Sequence, residues 1–343
     1  MSVLSPAIPG PAALRRGTGR AHGKVVLLGE HAVVHGAPAI ALPVHELGVD
    51  AEAQETRTPG TLDSVLYRGP LDAAPERLQP TVAAVRSTLR HHDATDLPLS
   101  LRIRSAIPPE RGLGSSAAVA AATIDAVLRM LGADADDEGA RHELIQAAER
   151  VAHGTPSGLD ARTVVSASPL WFQRGRVEPA DVGAPFAFVV ADTGTPSSTR
   201  EAVTAVHAQR AEKPQRVDRI VELLGDLATG ARDDLDRGDL PGLGARMDDA
   251  HALLRQLTVS SPELDRLVQG ARGAGALGAK LTGGGRGGCV VALATDADAA
   301  AELAARLRRS GATAAWVTTA EPPASRATAG SSPESIQSRE GTA

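Results

Sequence analysis

Two stretches of this 343-residue sequence set glycines beside hydroxyl and charged side chains in patterns that suit phosphate chemistry. PPERGLGSSAA, which comprises Pro108, Pro109, Glu110, Arg111, Gly112, Leu113, Gly114, Ser115, Ser116, Ala117 and Ala118, is a glycine loop leading straight into an apolar segment of helical character. A loop of this kind turns free backbone N–H groups towards an anion, and the dipole of the following helix adds partial positive charge. It is not a Walker A loop, because no Gly-Lys-Ser/Thr follows at the required spacing. Ser115 and Ser116 also read as plain helix N-caps, although a hydroxyl in the first turn of such a helix is where a Mg²⁺ ligand shared with phosphate would sit. The second stretch, KLTGGGRGGC, holds five glycines around Arg286 between two apolar runs. So many glycines together imply that another backbone or a ligand comes close, and the hairpin can be pictured covering the phosphate loop.

GKVVLLGEHAVVHG, residues 23–36, adds a lysine, a carboxylate and two histidines. His31 and His35 stand four apart, the spacing that sets two zinc ligands on one helical face. Their flanks fit a strand or turn better, and Glu30 precedes the pair whereas the HExxH pattern encloses its glutamate. A zinc hydrolase is therefore the weaker reading. Lys24 stands out through usage: of 36 basic residues only Lys24, Lys213 and Lys280 are lysine, the rest being arginine. A lysine kept against that bias and beside a glycine motif suits a tight site that needs a compact point charge. Further on, Glu149 falls late in a helical stretch and Asp160 follows the helix-breaking HGTPSG. A carboxylate near a helix C-terminus opposes the dipole, so its ordinary place is the solvated surface unless a cation compensates it.

These groups need elements to position them. KVVLL, AIALPV and the alternating LSLRIRS at 99–105 read as strands, and residues 81–91 as a helix. AAVAAATIDAVLRML is apolar nearly all round and small on several faces, which predicts a buried central helix. DEGARHELIQAAERVAHG predicts another, with acidic residues at its start and Gly154 past its end. PFAFVVAD opens a second unit with helical stretches from about 199 to 257 and near 262–272, the strand pair AKLTGGG and GCVVALA, a helix near 296–309 and a last strand TAAWVTT. Strands separated by helices, with one glycine hairpin, predict an α+β sandwich divided near residue 183. Residues 1–19 and 321–343 are poor in bulky apolar groups and are expected to be disordered tails.

A formal charge of −5 gives no basic footprint for nucleic acid or an anionic membrane, which leaves a small molecule as the expected partner. No apolar run approaches a bilayer span, and Arg15-Arg16 has no following apolar segment to make it a twin-arginine signal. One cysteine, Cys289, forms no internal disulfide, so a reducing, cytoplasmic setting is expected.

GKVVLLGEHAVVHG, PPERGLGSSAA and KLTGGGRGGC, in that order over about 260 residues, resemble the three motifs of the superfamily of galactokinase, homoserine kinase, mevalonate kinase and phosphomevalonate kinase, the GHMP kinases. Within it, the opening stretch with ERVAHGTPSGLDA and DTGTPSST looks like that of mevalonate kinases; galactokinases carry GEHTDY where this chain has Glu30-His31-Ala32-Val33. The sequence departs from the pattern at His22, where proline is common, and at Arg286. The resemblance implies an α+β, two-domain fold: a domain like the second domain of ribosomal protein S5 over residues 20–183, and a ferredoxin-like domain over 184–320. It implies ATP and Mg²⁺ as cofactors and phosphorylation of mevalonate at its 5-hydroxyl. Asp160 would be the catalytic base and Lys24 would polarise the hydroxyl and the γ-phosphate. Ser116 and Glu149 would bind Mg²⁺, residues 108–118 would wrap the phosphates, and Glu30 and His31 would line the mevalonate site with Lys24 and Asp160. A homodimer is implied by the family alone. The alternatives are another GHMP kinase, such as a phosphomevalonate kinase, or a non-catalytic nucleotide and metabolite sensor of the same fold.

Overall fold

The computed structural model describes residues 14–322, apart from positions 136, 155 and 198, and it is built on two sheets. The first contains β1 (Arg16–Leu28), β2 (Ala39–Glu55), β3 (Thr61–Ser64), β4 (Tyr67–Pro70), α1 (Gln79–His91), β5 (Leu99–Ser105), α2 (Ser115–Leu131), α3 (Glu138–His153), α4 (Leu159–Thr163), β6 (Leu170–Gln173) and β7 (Arg176–Pro179) as its strands and attendant helices. The strand order is β4-β3-β5-β2-β6-β7, with β1 pairing antiparallel to β2 along its length. The second sheet, β11-β8-β10-β9, is antiparallel throughout. Its elements are β8 (Phe186–Asp192), α5 (Thr199–Glu212), α6 (Pro214–Arg237), α7 (Leu240–Gln256), α8 (Pro262–Gly273), β9 (Gly278–Thr282), β10 (Cys289–Ala294), α9 (Ala297–Arg309) and β11 (Ala314–Ala320).

β1 changes character half-way. From Arg16 to Ala21 burial alternates, as for a strand with one wet face, and then every residue from Gly23 to Leu28 is buried. The change coincides with a register shift between His22 and Gly23. Such a bulge re-aims the strand, and here it sends Lys24 inward. Small residues set the packing of the first half: a Cβ on Gly17 would lie 2.2 Å from the Ala126 carbonyl O, and one on Gly19 2.1 Å from that of Ala122. Thus α2 rests directly on the backbone of β1, which is why its sequence is so rich in alanine. After the bulge, β1 faces the second sheet, where Thr282 Oγ1 accepts from Val26 N at 2.9 Å and donates to Val26 O at 3.0 Å.

Two expectations need adjustment. Arg16 to Gly19, placed in the N-terminal tail, pair with β2, because Gly17 and Gly19 are what α2 packs on; residues 1–13 and 323–343 lie outside the described residues. The short hairpins β3–β4 and β6–β7 are not evident in the sequence, since four-residue strands are too short to show a period.

Candidate active site

The glycine loop ends where α2 begins. Gly114 caps the helix with φ +73°, and neither Ser115 nor Ser116 makes a capping hydrogen bond; both are the first residues inside the helix, so the N-cap reading fails. Among the described residues the N–H groups of residues 112–116 donate to no backbone carbonyl outside the helix. The loop is tied to β1 by Lys24 N donating to Leu113 O at 3.0 Å. Lys24 passes over it so closely that a Cβ at Gly114 would come within 2.9 Å of Lys24 Cγ. Only glycine leaves room there.

Lys24 is 4% exposed and its Nζ lies 2.9 Å from Asp160 Oδ1. Asp160 reaches that place because α3 stops at Gly154, with φ +78°, and the chain restarts as the five-residue α4 behind Gly158, with φ +90°. The β1 strand is laced to the end of α4: His22 N donates to Val164 O at 3.0 Å, and the His22 ring nitrogens lie 2.9 Å from the carbonyls of Gly23 and Ser166. Lysine and aspartate are therefore set opposite each other by backbone bonds on both sides.

Glu149, near the end of α3, is 2% exposed, so the surface reading of that carboxylate is overturned. Burial first, and the charge of Asp160 second, push its carboxyl up to about 7, with the Ser116 hydroxyl and Lys24 opposing. Ser116 Oγ is near enough to act on it, yet Ser116 Oγ and Glu149 Oε1 both lack a hydrogen-bond partner. Two adjacent, buried, unsatisfied oxygens of this kind suit a hard divalent cation.

The turn after β1 is unusual. Gly29 has φ +99° and His31 φ +61°, so Glu30 sits between two left-handed residues. His31 Nε2 meets Gly284 O at 3.0 Å, and burial lowers its pKa to about 4. Glu30 is buried against Lys280 Nζ. His35 points elsewhere, 3.3 Å from Arg210 Nη1 and 5.6 Å from the His207 ring centroid to centroid. The two histidines do not converge, and among the described residues no three His, Cys, Asp or Glu side chains are grouped to hold a metal.

Lys24, Asp160, Ser116 and Glu149 are thus brought together beside the start of α2, while Glu30 and His31 meet β9 and its hairpin and His35 lies apart. A family model for the N-terminal domain of GHMP kinases matches residues 80–167, and one for the C-terminal part of GHMP kinases matches residues 231–313. The mevalonate kinase of Pyrococcus horikoshii is 37% identical over 295 residues, 79% of this chain and 86% of that protein. That of Pyrococcus furiosus is 34% identical over 314 residues, 84% and 92% of the two chains. The chain belongs to the GHMP kinases, among the mevalonate kinases. Of solved structures, that of the L. major mevalonate kinase in complex with R-mevalonate superposes with a TM-score of 0.77 at 29% identity, covering 89% of this chain and 96% of that one. This GHMP kinase is accordingly an ATP-dependent kinase that phosphorylates a hydroxyl group.

Three functional contacts of this GHMP kinase are not visible in the sequence pattern. Thr282 clamps β9 to β1, as described above. Lys280, notable in the sequence only as a rare lysine, proves to be the partner of Glu30. Arg111, inside the loop, donates from Nε to Asp192 Oδ2 at 3.0 Å and from Nη2 to Gly194 O at 3.1 Å, holding the loop to the end of β8. The rarity of lysine is a usable signal for Lys280; Arg111 is marked in the sequence only as a member of the loop 108–118, and nothing there points to Asp192.

Proposed function

We propose that this GHMP kinase transfers the γ-phosphoryl group of ATP to the 5-hydroxyl of mevalonate in a Mg²⁺-dependent reaction. The observation that carries the reading is the contact between Lys24 and Asp160 beside the loop at residues 108–118. Phosphoryl transfer chiefly requires alignment and charge neutralisation, with a group to receive the hydroxyl proton. Asp160 is the carboxylate suited to receive that proton, because it meets Lys24 Nζ at 2.9 Å with a side chain 38% exposed, whereas Glu149 sets its unpartnered Oε1 beside Ser116 Oγ, an arrangement suited to a cation. Lys24, held by Asp160 on one side and by the loop on the other, places a compact cation where the hydroxyl and the phosphoryl oxygens meet.

The loop supplies the N–H groups of residues 112–116 and the positive end of α2 to the phosphates. Ser116 Oγ and Glu149 Oε1 would hold Mg²⁺, which when bound neutralises phosphate charge. The nucleoside lies, on this reading, in the cleft of about 930 Å³ lined by His22, Ser64, Arg68, Arg104 and Ser105, because residues 104–106 run on directly into the phosphate loop. Glu30 and His31 line the acceptor side. The buried thiol of Cys289, its pKa pushed up by burial and with no second cysteine to join, fits a reducing, cytoplasmic setting. Among the described residues no helix is long and apolar enough to cross a membrane.

A coupled assay of ADP release over mevalonate, phosphomevalonate, homoserine and galactose, with and without EDTA, tests this. Turnover on mevalonate alone, abolished by chelation, is expected. Turnover on another acceptor would overturn the substrate, and tight binding of ATP and mevalonate in calorimetry without ADP release would make the protein a sensor.

A further inference from the structure

The acceptor side contains a second lysine that the transfer step does not use. Lys280, on β9, is fully buried; its Nζ donates to Glu30 and, at 2.7 Å, to Leu281 O. Glu30 is 3% exposed and keeps Oε2 without a partner. A buried ion pair adds little to packing, because desolvation offsets most of the attraction and an apolar pair of equal volume stabilises as well or better. An orphaned carboxylate oxygen makes the pair worse still as a purely structural feature. The surrounding backbone points the same way: Glu30 is fixed between the left-handed Gly29 and His31, and the turn is tied to the β9 side by Lys280 and by the contact of His31 with Gly284. Conformations of this kind persist only where neighbours over-determine them, and they gather at functional sites.

The charges alternate across the site. Lys280 meets Glu30, Glu30 feels Lys24 as its next cation, and Lys24 meets Asp160. Lys280 thus satisfies a carboxylate that would otherwise turn to Lys24. We propose that Lys280 is a positioning residue, holding Glu30 as a fixed carboxylate that offers Oε2 to a hydroxyl of the acceptor while leaving Lys24 to Asp160. This rests on the kinase reading above and assigns a role to a residue outside the transfer chemistry.

The charged and titratable groups around Glu30 are Lys280 from β9, Lys24 from β1 and the adjacent His31; His251 from α7 faces Lys280, and Arg286 from the hairpin faces His31. Burial raises the Glu30 carboxyl, and Lys280 is the main group that brings it down. Removing Lys280 leaves the first influence and deletes the second, so Glu30 keeps its proton to a higher pH than in the wild type and ionises only as the pH rises further.

Steady-state kinetics from about pH 6 to 9 on the wild type, Lys280→Met, Glu30→Gln and the double variant test the assignment. Lys280→Met should raise the acceptor KM about tenfold or more at pH 7, change the ATP KM by less than about twofold, and recover as the pH rises. Glu30→Gln should show a similar loss with no recovery. The double variant should match Glu30→Gln instead of summing the two losses. A Glu30→Gln enzyme with wild-type acceptor KM would sink the proposal, as would a Lys280→Met loss that is constant with pH and additive. If Lys280→Met does not fold, the double variant, in which no charge is left unpaired, and Glu30→Gln decide: equal losses support the role and a wild-type KM in either refutes it. Should the wild type ignore mevalonate, the substrate reading fails separately, and the same variants are read on whichever acceptor turns over.

Discussion

Gly112 in the loop before α2 and Gly283 in the hairpin after β9 meet backbone to backbone, a Cβ on Gly283 falling 3.1 Å from Gly112 Cα, and the turns they belong to differ in where their polar groups go. In the hairpin the rest of the protein engages backbone groups of Gly285, Arg286 and Gly288. Arg286 N donates to Val259 O, Gly288 N to Thr195 O, Ser197 Oγ to Gly285 O and Thr193 Oγ1 to Gly288 O. In the loop the N–H groups of residues 112–116 stay uncommitted, and Ser116 Oγ is buried with no partner. On the proposed reading, glycine serves close approach of backbone in the hairpin and of a ligand in the loop. Sequence alone shows the glycines and not the partners of their backbone groups.

If the loop side is where chemistry happens, its side chains should be dispensable for folding. Asp160→Asn keeps the size and removes the proton acceptor, and a positioned acid–base group contributes about 10²–10⁴-fold. The kcat should fall by about that factor while ATP binding and the Tm hardly change. A variant with wild-type kcat would remove Asp160 from the mechanism. Lys24→Arg comes next, with a loss of roughly 10²-fold expected, because Lys24 Cγ and Cε already press within 2.9 and 3.3 Å of the Cβ position of Gly114 and a guanidinium is wider and planar. Unchanged turnover would make Lys24 an ordinary cation.

The glycines themselves sharpen the contrast. A Cβ on Gly285 would lie 2.0 Å from Val259 O with φ at +81°, so Gly285→Ala should cost about 3 kcal/mol or more and show in urea denaturation. A Cβ on Gly112 meets nothing nearer than 3.5 Å, leaving only the strain of φ +74°, about 1–2 kcal/mol. Gly112→Ala should instead raise the ATP KM, since the methyl, set against Thr282, Gly283 and Gly284 of the hairpin, strains the left-handed turn of the loop proposed to hold phosphate. Equal losses of stability in the two variants would erase the distinction drawn between the turns.

Much of the fold is legible in the sequence, and for identifiable reasons. The long strands and helices show strong periodicity, and the order of the three motifs points to the fold; Lys24 and Ser116 lie in those motifs, and Glu149 and Asp160 in the ERVAHGTPSGLDA stretch between them. What stays hidden depends on distance in sequence. Glu30 and Lys280 are 250 positions apart, and Arg111 and Asp192 are 81 apart, so no local pattern links them. The burial of Glu149 is also invisible there, because its position near a helix C-terminus reads as surface until α3 is packed against α2.

The smallest effect belongs to the hairpin side, where His251 supports β9. Leu281 N donates to His251 Nδ1 at 3.4 Å, and His251 Nε2 lies 3.1 Å from Asp265 Oδ1, so these partners assign the neutral ring with its proton on Nε2. Protonating Nδ1 would set an N–H against the Leu281 N–H in a buried place near Lys280, and the pKa is lowered from 6.5 to about 4, by burial above all. For a depressed pKa the sign is fixed: the unfolded chain binds the proton first, so stability is fully present above about pH 6.5 and is lost as the pH falls towards 4. Within that window one such group contributes about 1 kcal/mol per pH unit. Between pH 6.5 and 5.5 the wild-type Tm should therefore fall relative to that of His251→Gln, which cannot take up the proton and keeps every other titrating group. Parallel slopes for the wild type and His251→Gln would show that His251 is already charged in the fold and that its link to Leu281 is not what steadies β9.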